Sequence, residues 1–261
     1  MAYLRLADGS KLCYNKKSQM GTVSYAQDGS AILNGWGNIS IKGTKGNNNY
    51  TIFNSSGVKI SGGKGDDVIN MINCTDSKVS GGKGNDIINN INGVNNKING
   101  DKGNDVITST GSYNKINGNR GHDNISSFGI ANKISGGTGN DNIKSTGSYN
   151  TVNGNRGHDN IFSSGFNNKI NGGLGHDNIK SFGSNNEIKG SFGRDNIKSF
   201  GNHNAVYGNR GSDNIFSSGH GNYVKGGYGN DILTSFGWGN IVNAGRGHND
   251  FVQNNFFKYF A

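Results

Sequence analysis

Ten aspartates recur along the chain at nearly constant spacing, and their carboxylates are the groups best placed to bind a cation. The first two steps are 19 residues and the later ones are 18. A fixed period is typical of a solenoid, in which each repeat is one coil stacked on the last. Carboxylates held at the ~4.8 Å spacing of neighbouring strands repel one another unless a cation lies between them. The predicted metal ligands are Asp67, Asp86, Asp105, Asp123, Asp141, Asp159, Asp177, Asp195, Asp213 and Asp231.

Each coil consists of two similar halves, and each half has a glycine-rich turn followed by a short strand. Residues 172–180 and 181–189 form one such pair. Side chains alternate in direction along a strand, so the central aliphatic residue of each half points inwards. Two inward columns result, and their β-branched residues favour strands. The columns are Ile69, Ile88, Ile107, Ile125, Ile143, Ile161, Ile179, Ile197, Ile215 and Leu233, and Ile60, Val79, Ile98, Ile116, Ile134, Val152, Ile170, Ile188, Val206, Val224 and Val242.

These columns predict an all-β fold, a parallel β-roll or β-solenoid of about eleven coils. Its two turns differ in chemistry, because one carries aspartate where the other carries asparagine. Stacked amides can hydrogen-bond from coil to coil without a counterion, whereas carboxylates suit calcium, a hard cation that takes oxygen ligands. We therefore expect one calcium edge and one asparagine-ladder edge. The ladder residues are Asn96, Asn114, Asn132, Asn150, Asn168, Asn186, Asn204, Asn222 and Asn240.

Glycine and proline usage fits such a solenoid. There are 46 glycines and no proline, and proline would remove donors from continuous strand ladders. The second position of the acidic turn is mostly glycine or asparagine, the residues that tolerate left-handed backbone angles. Positive φ is expected at Gly63, Gly82, Asn119, Gly137, Asn155, Gly173, Asn209 and Gly227.

The acidic column stops before the repeat does. One period outwards from its first and last members stand Asn48 and Asn249, so both end coils lack the acid. A calcium ion shared between adjacent coils needs carboxylates from both sides, and an end coil has only one neighbour. We predict that the solenoid extends over residues 35–252, with the metal column inside it.

The two ends of the chain are predicted to cover the open edges of the solenoid. Residues 1–34 form an N-terminal capping segment of hairpin-like strands around Asp8-Gly9 and Asp28-Gly29. Residues 253–261 form a hydrophobic C-terminal cap or a secretion-signal tail. The outward positions of the early coils are apolar, which suggests that the N-terminal segment lies against them. These positions are Val68, Ile87 and Val106.

Composition limits the classes of partner and compartment. The net charge of +9 and the pI of about 9.4 favour an anionic polymer or surface, such as a polysaccharide, lipopolysaccharide or anionic lipid. No nucleic-acid-binding motif is present, so we do not expect sequence-specific nucleic-acid binding. No stretch is long and apolar enough for a transmembrane segment, and the N-terminus lacks the pattern of a cleaved signal peptide. Cys13 and Cys74 are too few for a disulfide scaffold.

A row of cations occupies the third position of the acidic turn. It is either a basic stripe that grips an anionic polymer or a solvated edge, and Thr138, Leu174, Phe192 and Tyr228 interrupt it. The cations are Lys64, Lys83, Lys102, Arg120, Arg156, Arg210 and Arg246.

Other side chains at regular spacing have simpler interpretations. His122, His158, His176 and His248 project outwards beside the acidic column and do not converge as a zinc site requires. Phenylalanines after the serine of the second half are predicted to stack in a corner inside the roll. They are Phe128, Phe182, Phe200 and Phe236.

One flat face could order water, which makes ice binding conceivable, although a mixed second column argues against it. Its asparagines are Asn124, Asn142, Asn160, Asn178, Asn196 and Asn214. No catalytic triad or paired-carboxylate arrangement stands apart from the repeat. We therefore do not expect an enzyme.

Three segments resemble the nonapeptide of RTX, or haemolysin-type calcium-binding, proteins: residues 62–69, 81–88 and 136–143. The resemblance covers about four-fifths of the chain. It implies a Ca²⁺-bound β-roll, exported unfolded through a type I system with an uncleaved C-terminal signal, that folds in external calcium. Two departures stand out. Only alternate nonapeptides keep the aspartate, and the chain is basic where family members are usually acidic.

Three functions follow from these observations. The first is a secreted, non-enzymatic, calcium-binding β-roll that acts as a binding or structural module at a cell surface, without a cleaved signal peptide. The second is a secreted effector or toxin-like factor that engages anionic host membranes or glycans. The third is a metal-free structural solenoid whose aspartates are satisfied by turn amides and by nearby lysine or arginine.

Overall fold

A computed structural model of the chain describes residues 2–14, 21–25 and 30–254. The regular structure of these residues is β-strand throughout, and it forms a parallel β-solenoid of about 12 turns. The all-β parallel solenoid predicted from the repeat is therefore confirmed. The chain divides into two compact units, Met1–Ser135 and Gly136–Ala261.

The first unit has two sheets made of alternating strands. Sheet A has the order β1-β2-β5-β7-β9-β11-β13, and sheet B has the order β3-β4-β6-β8-β10-β12-β14. The strands are β1 (Ala2–Arg5), β2 (Lys11–Tyr14), β3 (Thr22–Tyr25), β4 (Ala31–Asn34), β5 (Ser40–Lys42), β6 (Asn49–Phe53), β7 (Lys59–Lys64), β8 (Val68–Ile72), β9 (Lys78–Lys83), β10 (Ile87–Val94), β11 (Lys97–Lys102), β12 (Val106–Ser112), β13 (Lys115–Arg120) and β14 (Asn124–Phe128).

The second unit repeats this arrangement, with the order β17-β19-β21-β23-β25-β27 in sheet A and β16-β18-β20-β22-β24-β26-β28 in sheet B. β15 (Lys133–Thr138) includes residues of both units. The other strands are β16 (Asn142–Thr146), β17 (Thr151–Arg156), β18 (Asn160–Ser164), β19 (Lys169–Leu174), β20 (Asn178–Phe182), β21 (Glu187–Phe192), β22 (Asn196–Phe200), β23 (Ala205–Arg210), β24 (Asn214–Ser218), β25 (Tyr223–Tyr228), β26 (Ile232–Phe236), β27 (Ile241–Arg246) and β28 (Asp250–Asn254).

The aliphatic columns form the core, because alternate side chains of each strand face the interior. Every predicted column residue except Val242 is at most 3% exposed. Val242 is half-buried because β27 ends its sheet and has β25 as its neighbour on one side only. Each fully buried aliphatic side chain contributes about 1.5–3 kcal/mol of hydrophobic stabilisation.

The change of period from 19 to 18 residues is absorbed by a bulge in β10. Asn90 pairs with Ser109 of β12, but the next pair is Gly93 with Gly111, so β10 has one more residue in this interval. Positive φ at the second position of the acidic turn is confirmed, with values from 80° at Asn209 to 127° at Gly137.

The N-terminal strands pair antiparallel before the solenoid becomes parallel. β1 pairs with β2 across the Asp8-Gly9 turn, and β3 pairs with β4. β4 and β5 then pair in parallel with β6 and β7. The Asp28-Gly29 turn lies outside the described residues, as do Phe256, Phe257, Tyr259 and Phe260 at the C-terminus. The domain boundaries stay a prediction.

Two of the three apolar outward positions of the early coils are exposed, contrary to the expectation that the N-terminal segment covers them. Ile87 and Val106 are each 42% exposed, whereas Val68 is half-buried. The described N-terminal strands extend the sheets edge to edge. Cys13 and Cys74 are not disulfide-bonded. None of the described segments forms a helix of the length and apolar character that crossing a bilayer requires.

Replacement of one core residue should destabilise the protein through a cavity. Ile170 is 2% exposed within β19, so Ile170→Ala should lower the free energy of unfolding by about 2–5 kcal/mol. Lys169→Ala changes the exposed neighbour and should cost less than about 0.5 kcal/mol. Urea denaturation of both variants in calcium checks this, and equal losses would contradict the assignment of the column to the core.

Candidate metal site

The predicted metal ligands lie inside the acidic turns rather than on the outer surface. Each of the ten aspartates is at most 2% exposed. Within each unit their Oδ1 atoms join neighbouring coils, since they accept a hydrogen bond from the backbone N–H one period earlier. In the first unit the N–H of Asn48 donates to Asp67 at 2.7 Å, and that of Asp67 to Asp86 at 2.8 Å. In the second unit the ladder ends at Asn249, which accepts from Asp231 at 2.8 Å.

The second carboxylate oxygen has no such partner. Among the described residues, Oδ2 of eight aspartates is buried and accepts no hydrogen bond from the protein: Asp67, Asp86, Asp105, Asp159, Asp177, Asp195, Asp213 and Asp231. A buried carboxylate oxygen without a donor or a cation is costly. The column is therefore only half satisfied by the chain itself.

A glycine five residues before the aspartate makes room for this second oxygen. A Cβ added at Gly154 would lie 2.2 Å from Asp159 Oδ2, and one added at Gly190 would lie 2.3 Å from Asp195 Oδ2. The glycine faces inwards, as the aliphatic residue two positions earlier does, so any side chain there would occupy the space of the carboxylate. Its spacing from the aspartate is visible in the sequence, but its role was not anticipated.

The asparagine turns use the same ladder and complete it, except at Asn222, whose Nδ2 is buried without a hydrogen-bond partner. The N–H of Asn96 donates to Oδ1 of Asn114 at 2.9 Å, which matches the aspartate pattern. The side-chain amide then donates from Nδ2 to a glycine carbonyl of the preceding coil. This bond is 2.9 Å from Asn168 to Gly147 and 3.1 Å from Asn186 to Gly165. The asparagine edge therefore needs no ion, whereas the atom at the equivalent position of the aspartate cannot donate.

Burial raises the pKa of these carboxyls, because the charged form loses solvation. The pKa rises from the ordinary 3.8 to about 7 for Asp67, Asp105 and Asp195, and to about 6 for Asp159 and Asp213. The N–H of the preceding coil opposes this rise, and neighbouring carboxylates add to it. Neither effect balances the negative charge of a buried, ionised carboxylate. A bound cation would balance it.

The donor set fits calcium. The orphaned Oδ2 atoms are hard oxygen donors, which calcium accepts together with backbone carbonyls. In the described part of the chain, no three His, Cys, Asp or Glu side chains converge on one point. Carboxylates alone therefore cannot complete a coordination sphere here, and carbonyl oxygens of the glycine-rich turns would have to contribute.

The histidines beside the column have a structural role that the sequence analysis missed. His158 Nδ1 accepts the N–H of His176 at 2.8 Å, and His176 Nδ1 accepts that of Arg194 at 2.8 Å. Asn140 accepts the N–H of His158 in the same way. Most residues at this position, though not Arg194, have an acceptor close to Cβ, which is the signal that could have revealed a third ladder.

The phenylalanines lie outside the roll, which corrects the prediction of a corner stack inside it. In β20 the inward residues are Ile179 and Ser181, so alternation turns Phe182 outwards. On the outer face its ring lies 4.9 Å from that of Phe200 and 5.5 Å from that of Phe162, centroid to centroid.

Together, the stacked coils and the acidic turns define a calcium-binding solenoid. The chain belongs to the RTX calcium-binding nonapeptide repeat family. The family's sequence pattern matches residues 92–125, 135–170, 153–181, 162–197, 181–215 and 207–235. The predicted family and the predicted Ca²⁺ cofactor are thereby confirmed.

A solved structure with a similar fold is that of a hyperactive, Ca²⁺-dependent, β-helical antifreeze protein from an Antarctic bacterium. The similarity has a TM-score of 0.63 and 25% sequence identity, and it covers 73% of this chain. This chain matches 64% of the antifreeze chain, less than two thirds of its length. No curated protein matches the chain in sequence.

Calcium-free protein should lose stability as the pH rises. The folded-state pKa of five aspartates is about 6–7 against an ordinary 3.8, so the folded form binds protons that the unfolded form has released. The resulting stabilisation is complete below about pH 4 and is lost as the pH rises through 6–7. Circular dichroism of chelator-treated protein at pH 5 and pH 8 should show the weaker strand signal at pH 8.

Saturating calcium should reverse this trend, because calcium binds the deprotonated carboxylate and competes with protons. A strand signal that rises with pH in the absence of calcium would contradict the assigned burial of the column.

Proposed function

We propose that this protein is a secreted, non-enzymatic β-roll that binds calcium along its acidic turns and acts as a binding or structural module at a cell surface. The proposal rests on the buried Oδ2 atoms of the aspartate turns, which have no hydrogen-bond donor. Asp67, Asp86, Asp105, Asp123, Asp141, Asp159, Asp177, Asp195, Asp213 and Asp231 are the proposed side-chain ligands. When bound, calcium supplies the positive charge that the chain does not place beside them.

Two features of the chain hold the carboxylate in place. The N–H of the preceding coil fixes Oδ1, and the glycine five residues earlier leaves space for Oδ2. The carboxylate is thus oriented before any ion arrives. Folding without calcium must either bury an unbalanced charge or take up a proton, so binding and folding are coupled.

This coupling supports export of an unfolded chain. In a compartment with little calcium the buried acids disfavour the coil, and external calcium then favours it. We infer an extracellular location, with export through a type I system, on the resemblance to RTX proteins and on this coupling. A metal-free solenoid is disfavoured, because the eight Oδ2 atoms have no lysine or arginine partner among the described residues.

A non-enzymatic role is supported by how the polar side chains are used. The aspartate, asparagine and histidine side chains serve as ladder acceptors between coils. The outer faces carry shallow grooves. The alternative of an effector that engages anionic host membranes or glycans is consistent with the net charge of +9. Calcium-dependent binding to anionic vesicles, with retention on host cells, would favour that alternative.

Ice binding is the second candidate, favoured by the similarity to the antifreeze protein. On sheet B of the second unit, Asn178 donates to Asn160 at 3.2 Å and Asn196 donates to Asn178 at 3.4 Å, which forms a regular polar row. The adjacent row places Lys180 and Lys198 between Phe162 and Phe216, so a flat water-ordering surface is interrupted. Thermal hysteresis measured with calcium and with chelator decides this candidate, and a calcium-dependent freezing gap would establish it.

Calcium should induce the fold. Circular dichroism of chelator-treated protein at pH 8 should gain strand signal upon calcium titration, and calorimetry should count several ions per chain. Magnesium should substitute poorly, because it demands a stricter geometry and loses its water reluctantly. Full strand signal in excess chelator, with no heat of calcium binding, would refute the proposed role.

The two edges of one coil should respond differently to substitution. Asp159→Asn keeps the Oδ1 acceptor for the N–H of Asp141 but removes a ligand charge, so the calcium count per chain should fall, while stability in chelator at pH 8 should rise. The matched control is Asn168→Ala on the opposite turn. It removes the hydrogen bond to Gly147 and the acceptor for Asn150 and should cost roughly 1–3 kcal/mol with the calcium count unchanged. Equal calcium counts for wild type and Asp159→Asn would contradict the assignment of Asp159 as a calcium ligand.

A further inference from the structure

The outer face of sheet A in the first unit carries two rows of cations. Four neighbouring strands, β7, β9, β11 and β13, each begin with lysine and end with lysine or arginine. One row was visible in the acidic turns. The other directly precedes the inward aliphatic residue of each strand and was not anticipated. All eight side chains are exposed: Lys59, Lys78, Lys97 and Lys115, and Lys64, Lys83, Lys102 and Arg120.

Strand register aligns the cations along each row. Lys59 pairs with Lys78, Lys78 with Lys97, and Lys97 with Lys115. Neighbouring cations in a row are therefore separated by the ~4.8 Å strand spacing, and the two rows by roughly 16 Å along the strands. Like charges this close repel one another, so an anion that spans several coils would relieve the repulsion.

The only acid that projects from these four strands does not neutralise the rows. Asp101 accepts hydrogen bonds from the Ser80 hydroxyl and from Asn119 Nδ2, the latter at 3.4 Å. It is thus held by the polar side chains of its own sheet. The lysines remain exposed to solvent on both sides of it.

Small polar residues form a floor between the two rows of long side chains. The outward residues at the middle of the strands are Ser61, Ser80, Asn99 and Asn117. A groove of about 220 Å³ follows this floor along Lys59, Lys78 and Lys97. A second groove, of about 440 Å³, follows the other row along Lys83, Lys102 and Arg120, and Asp101 and Asn119 also line it. We call the floor and both cation rows the lysine trough.

We propose that the lysine trough binds a linear acidic polysaccharide laid across the strands. Carboxylate or sulfate groups would pair with successive lysines, and sugar hydroxyls would hydrogen-bond with serine and asparagine on the floor. The inference deepens the proposed function, on which it rests for a folded, calcium-bound module.

Other polyanions fit this trough less well. None of the outward side chains of β7, β9, β11 and β13 is aliphatic or aromatic. A membrane surface would therefore find nothing to insert, and single-stranded nucleic acid would find no stacking platform. Hydroxyl-rich chains with regularly spaced charge match both the floor and the rows.

The test uses the full chain folded in saturating calcium, with labelled hyaluronate as the carboxylated probe, heparin as the sulfated probe and dextran as the neutral control. Wild type should bind one or both acidic probes and not dextran. The variant Lys78→Gln/Lys83→Gln/Lys97→Gln/Lys102→Gln should bind at least about tenfold more weakly, since each lysine beside an anionic surface adds attraction. Fluorescence anisotropy measures the dissociation constants.

The matched control removes four charges elsewhere: Lys144→Gln/Lys180→Gln/Lys198→Gln/Lys225→Gln. It should bind within about threefold of wild type, which is a difference below 1 kcal/mol. Equal losses in the two variants would show general charge attraction and overturn the proposal, as would failure of both acidic probes. Tighter trough-dependent binding of phosphatidylglycerol vesicles or oligo-dT would also overturn it.

Circular dichroism of the same variants in calcium separates this inference from the proposed function. A normal calcium-induced fold with no trough effect refutes the trough alone. A trough effect in protein that is fully folded without calcium refutes the calcium role alone.

Discussion

The structure depends on a hydrogen bond between a backbone N–H and a side-chain oxygen one period later. This bond, at 2.7–2.9 Å, recurs at the aspartate and asparagine turns of both units. It allows a coil with only two buried aliphatic residues to stack tightly, because the turn amides would otherwise lack partners. The same bond uses Oδ1 of each side chain. The chemistry of an edge is therefore decided by the other terminal atom, which is Oδ2 in aspartate and Nδ2 in asparagine.

That second atom explains the difference between the two edges. At most of the asparagines the amide nitrogen donates to a carbonyl of the preceding coil and closes the network within the protein. A carboxylate oxygen cannot donate and stays buried without a partner. One sequence difference, aspartate against asparagine at equivalent places, thus separates an edge whose second side-chain atoms lack a partner from one where most of them have one. The basic net charge does not compensate, because among the described residues no lysine or arginine is a hydrogen-bond partner of the eight buried Oδ2 atoms.

Much of this architecture could be predicted from the sequence because period and alternation are properties of residue order. The inward columns, the two kinds of turn and the positive φ positions all follow from spacing. The orientation of side chains at the corners does not. The direction of the Phe182 side chain depends on its position relative to the turn, which the spacing alone does not give. The use of His158 Nδ1 as an acceptor depends on the rotamer of the histidine. The first-position lysine row is visible in the sequence, but its significance appears only when the register aligns it with the other row.

The three ladders of the second unit join equivalent atoms that are 18 residues apart. Excision of one complete repeat would therefore recreate the same set of bonds at the new junction, whereas loss of a single residue would shift all three ladders together. The length of this region can evolve in whole coils and tolerates little else. Duplication or deletion of repeats would change the number of bound ions and the reach of the molecule in fixed increments.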